Sequence, residues 1–187
     1  MVTTSECSLR IENIVSSGAV ADSIDIDLLI KNSPDCKFDK KRFPGAVYYM
    51  QDPKAVALIF SSGRIVLTGV TRHEHIDVSL HNLLDMLKKS GITCMDTPSV
   101  SVKNIVCTYN LGNECNLVRI MAALMDHEWV EYEPESFPGL VCRITDPKIV
   151  FLLFSSGKTV VTGGTNMEDI RKGVGIFTQK LGSIGVL

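Results

Sequence analysis

The chain has 187 residues, 45% of them apolar, and its 19 lysines and arginines stand against 21 aspartates and glutamates for a formal net charge of -2. That length gives one domain or two small ones around a substantial core, with the composition of an ordinary soluble globule. It holds no run of apolar residues long enough to span a membrane, and its first residues lack the apolar core of a secretory signal, so the expected place is inside the cell. The net charge argues mildly against nucleic-acid binding, although a chain that is acidic in sum can still present one basic rim. Acidic residues gather at Asp22, Asp25 and Asp27 and at Glu128, Glu131, Glu133 and Glu135, whereas Lys37, Lys40, Lys41, Arg42, Lys54, Arg64, Arg143, Lys148 and Lys158 fall in or beside strand patterns. The six cysteines (Cys7, Cys36, Cys94, Cys107, Cys115, Cys142) form no C-x-x-C pair, which argues for reduced thiols packed as small hydrophobes, with no disulfide framework and no structural metal.

In chain order, residues 9–15 read as a short strand. A short helix over 22–32 carries Ile24, Leu28 and Ile30, with acids in its first turns and Pro34 closing it. Strands follow near 37–42, 46–51, 55–61 and 64–69, punctuated by Pro44-Gly45, Asp52-Pro53 and Ser62-Gly63. A helix over 72–89 opens at a Thr71/Glu74 capping box, carries Ile76, Leu80, Leu83, Leu84 and Leu87 on one face, and stops at Gly91. The whole order then recurs. Strands are expected near 100–107, 129–133, 140–145, 149–155 and 158–163, and helices near 116–126 and 166–182, the last weakened by Gly173 and Gly175 and opened by a second box, Thr165/Glu168.

The recurrence is literal. Phe43 to Gly69 (FPGAVYYMQDPKAVALIFSSGRIVLTG) and Phe137 to Gly163 (FPGLVCRITDPKIVFLLFSSGKTVVTG) share 16 of 27 positions at a constant offset of 94, and Glu12 to Val15 (ENIV) answers Lys103 to Val106 (KNIV) at an offset of 91. A unit written twice is a two-fold object, here with repeats over 1–95 and 96–187. Each is a strand, a helix, four antiparallel strands and a long helix. Two helices cover one face of such a sheet, yet Ala55 to Phe60 (AVALIF) and Ile149 to Phe154 (IVFLLF) are apolar at every position, so something buries both faces. If Ile59 faces the helices, Leu58 and Phe60 face away, as do Leu152 and Phe154. A second layer of protein and a ligand surface both satisfy that pattern.

The motifs NIV, YEPE-x-FPG, DPK, LIF/LLF-SSG and VTG, most of them present twice, resemble the TATA-box-binding protein family in its compact archaeal form, over about residues 9–185. The resemblance implies an α+β fold: two pseudo-symmetric repeats forming one curved antiparallel ten-stranded sheet, a saddle, with four helices on the convex face. It implies a general transcription initiation factor that binds the minor groove of A·T-rich promoter DNA, kinks it and recruits transcription factor B and, through it, RNA polymerase. The site residues that follow are Phe43, Phe60, Phe137 and Phe154 as intercalating wedges, and Asn13, Asn104, Thr68 and Thr162 as central hydrogen-bonding groups. Val15, Leu58, Val66, Val106, Leu152 and Val160 form the apolar floor, and Ser62, Arg64, Ser156, Lys158 and Arg143 the phosphate contacts. Glu133 and Glu135, in the acidic loop before the second FPG, correspond to the partner-binding loop of the family. Such a face suits A·T-rich DNA, where the minor groove shows only acceptors and the guanine amino group would collide with the floor. Tyr49 stands where the second repeat has Arg143, so the tyrosine by itself predicts that the first repeat holds phosphate less tightly.

The alternative is a protein-interaction module, or a homodimer in the absence of DNA, in which the apolar saddle meets protein. An enzyme is not expected: His73 and His75 share no helix face, no G-x-S-x-G or phosphate loop occurs, and a base-flipping repair enzyme would need a catalytic Asp or Lys on the concave side. No cofactor is expected. An archaeal-type factor would work in the cytoplasm on the nucleoid, and residence in a nucleus would follow only from a eukaryotic source; the lack of a long N-terminal extension leans toward the former.

Overall fold

The structure is a computed structural model that describes residues 9–124 and 129–186. The elements in order are β1 (Arg10–Ala19), α1 (Ile26–Asn32), β2 (Cys36–Lys37), β3 (Ala46–Gln51), β4 (Lys54–Ile59), β5 (Arg64–Val70) and α2 (Glu74–Lys89), then β6 (Ser99–Asn110), α3 (Leu117–Ala123), β7 (Val130–Glu131), β8 (Leu140–Thr145), β9 (Lys148–Leu153), β10 (Lys158–Gly164) and α4 (Met167–Ser183). The strands form one open ten-stranded sheet in the order β2-β3-β4-β5-β1-β6-β10-β9-β8-β7. The fold is α+β, as expected. Two compact units divide the described residues, one of residues 13–103 and the other of residues 9–12 together with those described from 104 on.

Within each unit, alternate strand residues pack one face of the sheet against the helices. In the first, Ala57, Ile59, Ile65 and Leu67 are fully buried and α2 sets Ile76, Leu83 and Leu87 against them; in the second, Phe151, Leu153 and Val161 meet Ile170, Phe177 and Leu181 of α4. Phe151 and Phe177 stack with ring centres 4.3 Å apart. Gly173 looks like a flaw in α4 by propensity, but a Cβ there would come within 3.0 Å of Ile149 Cγ1, so the glycine allows the helix to lie close on the sheet. Cys36, Cys94, Cys107, Cys115 and Cys142 are free, and burial pushes the Cys107 and Cys142 thiols up to about 11 and about 12, which keeps them protonated and inert. Cys7 lies outside the described residues.

Several expected boundaries move, each for a local reason. The strand over 37–42 shrinks to Cys36–Lys37 because Asp39 turns the chain: its carbonyl accepts from Arg42 and Phe43 N–H, and its carboxylate accepts from Lys41 N–H. The strand over 129–133 shrinks to Val130–Glu131 for a matching reason, since the Glu133 carbonyl accepts from Ser136 and Phe137 N–H. Helix α1 starts only after Asp25, whose side chain accepts from Leu28 N–H; its buried residues are Ile26 and Leu29, while Leu28 is exposed and Ile24 is buried just before the helix. Neither capping box forms. Helix α2 begins after His73, which makes no side-chain cap bond, and α4 is capped by Asn166, not Thr165, through a bond from Asp169 N–H at 2.8 Å. The first strand of each repeat is longer than expected, to Ala19 and Asn110. The helix over 116–126 ends at Ala123, and residues 125–126 of that expectation, like Glu128, lie outside the described residues.

Candidate nucleic-acid interface

Cross-strand pairing fixes which side chains share the face that the helices leave open. In the first unit Val47 lies opposite Leu58, Leu58 opposite Val66, Val66 opposite Ser17, and Val56 opposite Thr68. In the second, Val141 lies opposite Leu152, Leu152 opposite Val160, Val160 opposite Thr108, and Val150 opposite Thr162. All of these are half-buried, as are Val15 and Val106, while the residues on both sides of Val15, Val56, Leu58, Val66, Val106, Val141, Val150, Leu152 and Val160 are buried. The face is thus an apolar floor still partly open to water, the arrangement of a binding surface. Six of these residues, Val47, Val56, Val141, Val150, Ser17 and Thr108, were not among those expected. Continuing the two-residue period along β1, β3 and β4 and their copies would have found them.

On β1 and again on β6 an asparagine is held by a glycine. The pairing of β1 with β5 slips between Ile14 and Ser16, and that of β10 with β6 slips between Val161 and Gly164, so Thr68-Gly69 and Thr162-Gly163 each bulge opposite one valine. The bulge needs a left-handed residue, and Gly69 and Gly163 have φ of 93° and 99°. Gly69 N–H then donates to Asn13 Oδ1 at 2.7 Å, and Gly163 N–H to Asn104 Oδ1 at 2.8 Å. A backbone N–H can only donate, so it fixes the amide with its oxygen inward and its nitrogen forward. Asn13 Nδ2 donates to Thr68 Oγ1 at 3.0 Å and Asn104 Nδ2 to Thr162 Oγ1 at 3.0 Å, and the same hydroxyls lie 3.2 Å from Asn13 Oδ1 and Asn104 Oδ1, where they can donate back; each amide keeps a second N–H to offer. Both repeats therefore present donors on an apolar floor.

The phenylalanines meet in pairs. Phe43 and Phe60 lie edge to face with centres 5.6 Å apart, and Phe137 and Phe154 do the same at 5.8 Å. The glycine of each FPG makes room for them. A Cβ on Gly45 would stand 2.9 Å from the Phe43 ring and 3.2 Å from the Phe60 ring, and one on Gly139 would stand 2.6 Å from Phe137 and 3.2 Å from Phe154.

The rim is polar. Arg64 and Lys158 continue the series of Val66, Thr68 and Val160, Thr162 along β5 and β10, and they are exposed, as are Ser62 and Ser156 in the preceding turns. Arg143 is also exposed and lies 3.2 Å from Glu131 Oε2. Glu133 and Glu135 are exposed in the loop before Phe137. On β1, Arg10 donates twice to Glu12 (2.8 and 2.9 Å) and Thr108 Oγ1 donates to the same carboxylate at 2.7 Å; these bonds, that from Arg10 first, hold the Glu12 carboxyl down to about 2, so it is ionised throughout the physiological range. Among the described residues no cluster of His, Cys, Asp and Glu could hold a metal, and no helix is long and apolar enough to cross a membrane.

Comparison with known proteins gives one answer. The sequence profile described as transcription factor TFIID (or TATA-binding protein, TBP) matches residues 8–90 and again 99–184. The chain is 42% identical over 183 residues to TATA-box-binding protein 1 of Methanosarcina acetivorans, covering 98% of this chain and 100% of that one. It is 41% identical over 179 residues to the TATA-box-binding protein of Archaeoglobus fulgidus, covering 96% and 97%. Among solved structures, Methanococcus jannaschii TBP superposes with a TM-score of 0.82 at 35% identity, over 94% of this chain and 99% of that one. The twice-matched profile, the near-complete relatives and the ten-stranded fold agree: the chain belongs to the TATA-binding protein family, a family of transcription factors and not of enzymes.

Proposed function

We propose that this chain is a general transcription initiation factor that binds the minor groove of A·T-rich promoter DNA, each repeat serving half of the site. The observation that carries the reading is the pair of asparagines whose oxygens are tied to Gly69 and Gly163, so that the apolar face of each repeat offers donors. The minor groove of A·T pairs offers only acceptors, adenine N3 and thymine O2, between deoxyribose walls. A G·C pair would push the guanine amino group, itself a donor, against those amides and the floor of Val15, Leu58, Val66, Val106, Leu152 and Val160. The ring pairs Phe43/Phe60 and Phe137/Phe154 would wedge into base steps and kink the duplex, a behaviour carried over from the family and not a consequence of this geometry alone. Ser62, Arg64, Ser156, Lys158 and Arg143 would meet phosphates, and Glu133 and Glu135 would receive transcription factor B, which brings RNA polymerase. This work belongs on the chromosome, in the cytoplasm of an archaeal-type cell.

The test is energy transfer between the ends of a short duplex containing a TATA box, titrated with wild-type protein and with the Phe60→Ala/Phe154→Ala variant. Shortening of the end-to-end distance that the double variant abolishes is the expected result. An unchanged distance at saturating protein, together with a dimer in sedimentation, would transfer the face to a protein partner or to a second copy of the chain.

A further inference from the structure

We infer that the two repeats hold phosphate unequally, the first more strongly, because one place on the interface face has exchanged its charge between them. The inference rests on the reading of that face as a DNA surface. Lys37 of β2 lies opposite Val47, which lies opposite Leu58, so Lys37 stands on the same side as the apolar floor, at its outer edge. In the second repeat that place belongs to Glu131, opposite Val141 and through it Leu152. One strand inward, Tyr49 lies opposite Val56 and Arg143 opposite Val150, again on this side.

The two pairs differ in what they offer a phosphate. Lys37 Nζ sits 5.3 Å from the centre of the Tyr49 ring, which steers the ammonium without cancelling its charge. Arg143 Nη2 sits 3.2 Å from Glu131 Oε2, and the pair sums to zero. Both members are more than half exposed, so the ion pair does not lock the arginine. A phosphate that draws Arg143 away still faces the Glu131 carboxylate, well inside the roughly 10 Å over which salt leaves charges visible to each other. Tyr49 alone suggests a weaker hold in the first repeat, and Lys37 on its ring reverses that. The turns before each FPG continue the contrast: Lys41 occupies the place that Glu135 has in the second repeat, and both are exposed.

The experiment is the salt dependence of binding to a duplex with one TATA box, by fluorescence anisotropy, for wild type, Lys37→Gln, Arg143→Gln, Glu131→Gln and the double variant Glu131→Gln/Arg143→Gln. All the positions are exposed, and thermal unfolding checks that each variant is folded. Lys37→Gln should lower the slope of log K against log salt by about 1, and Arg143→Gln by clearly less. Glu131→Gln should steepen the slope, and adding Arg143→Gln to it should then remove about 1. Equal losses for Lys37→Gln and Arg143→Gln, with no change for Glu131→Gln, would overturn the inference while leaving the DNA reading intact. Wild-type protein that binds the box no tighter than a scrambled duplex would overturn both, and that result is visible before any substitution is made.

Discussion

Asn13 and Asn104 each spend their single amide oxygen inside the protein, on Gly69 and Gly163, and this leaves them as donors toward whatever lies on the floor. Losing such a donor strands an acceptor away from water, a cost of about 1–3 kcal/mol. Asn13→Ala or Asn104→Ala should therefore raise Kd for a TATA duplex about 5- to 150-fold, read by anisotropy titration. Asn→Asp should be worse, because a carboxylate offers only acceptors to acceptors. A change below about twofold would remove the amides from the contact. The identity of these residues was legible from the motifs, through the family they resemble. Their orientation was not, because it depends on a bulge, and a two-residue alternation contains no term for an extra residue.

At the scale of elements, the order and number of strands and helices were readable, because the Gly and Pro turns and the apolar periods repeat with so few changes. The starts of the long helices were misread. T-x-x-E is a box only if the threonine leaves the helix at the right angle, and in α2 and α4 the chain turns two and one residues later. Asn166→Ala should lower stability by about 0.5–2 kcal/mol, whereas Thr71→Ala and Thr165→Ala should stay within about 0.5 kcal/mol. Thermal unfolding would separate them, since in a chain of this size 1 kcal/mol moves Tm by about 2–4 °C. Equal shifts for Asn166 and Thr165 would reinstate the box. The short edge strands β2 and β7 were also overestimated, because hydrogen bonds to Asp39 and Glu133 outcompete a ladder that has a partner on only one side.

At the scale of the whole molecule, each of the two units keeps an apolar face that its own helices do not cover. The alternation of buried with half-buried side chains along these strands is visible only once the strands are paired, and a ligand or a second protein would each meet the half-buried set. A face held for binding should be separable from folding. Val66→Thr with Val160→Thr keeps the β-branched shape, so Tm should move by only a few degrees, yet the added hydroxyls must be desolvated against the sugar walls and Kd should rise at least tenfold. Matching losses of Tm and affinity, in calorimetry and anisotropy, would mean that the face is part of the core. The crowded space around Gly45 and Gly139 has another consequence, for how such a chain can drift. At Gly139 the crowding comes from the rings alone, so a side chain there becomes admissible once Phe137 and Phe154 move aside, whereas at Gly45 the Ile59 carbonyl, 2.8 Å from a Cβ, bars one whatever the rings do. The two copies of one motif are therefore held to glycine by different neighbours, and they are free to drift by different routes.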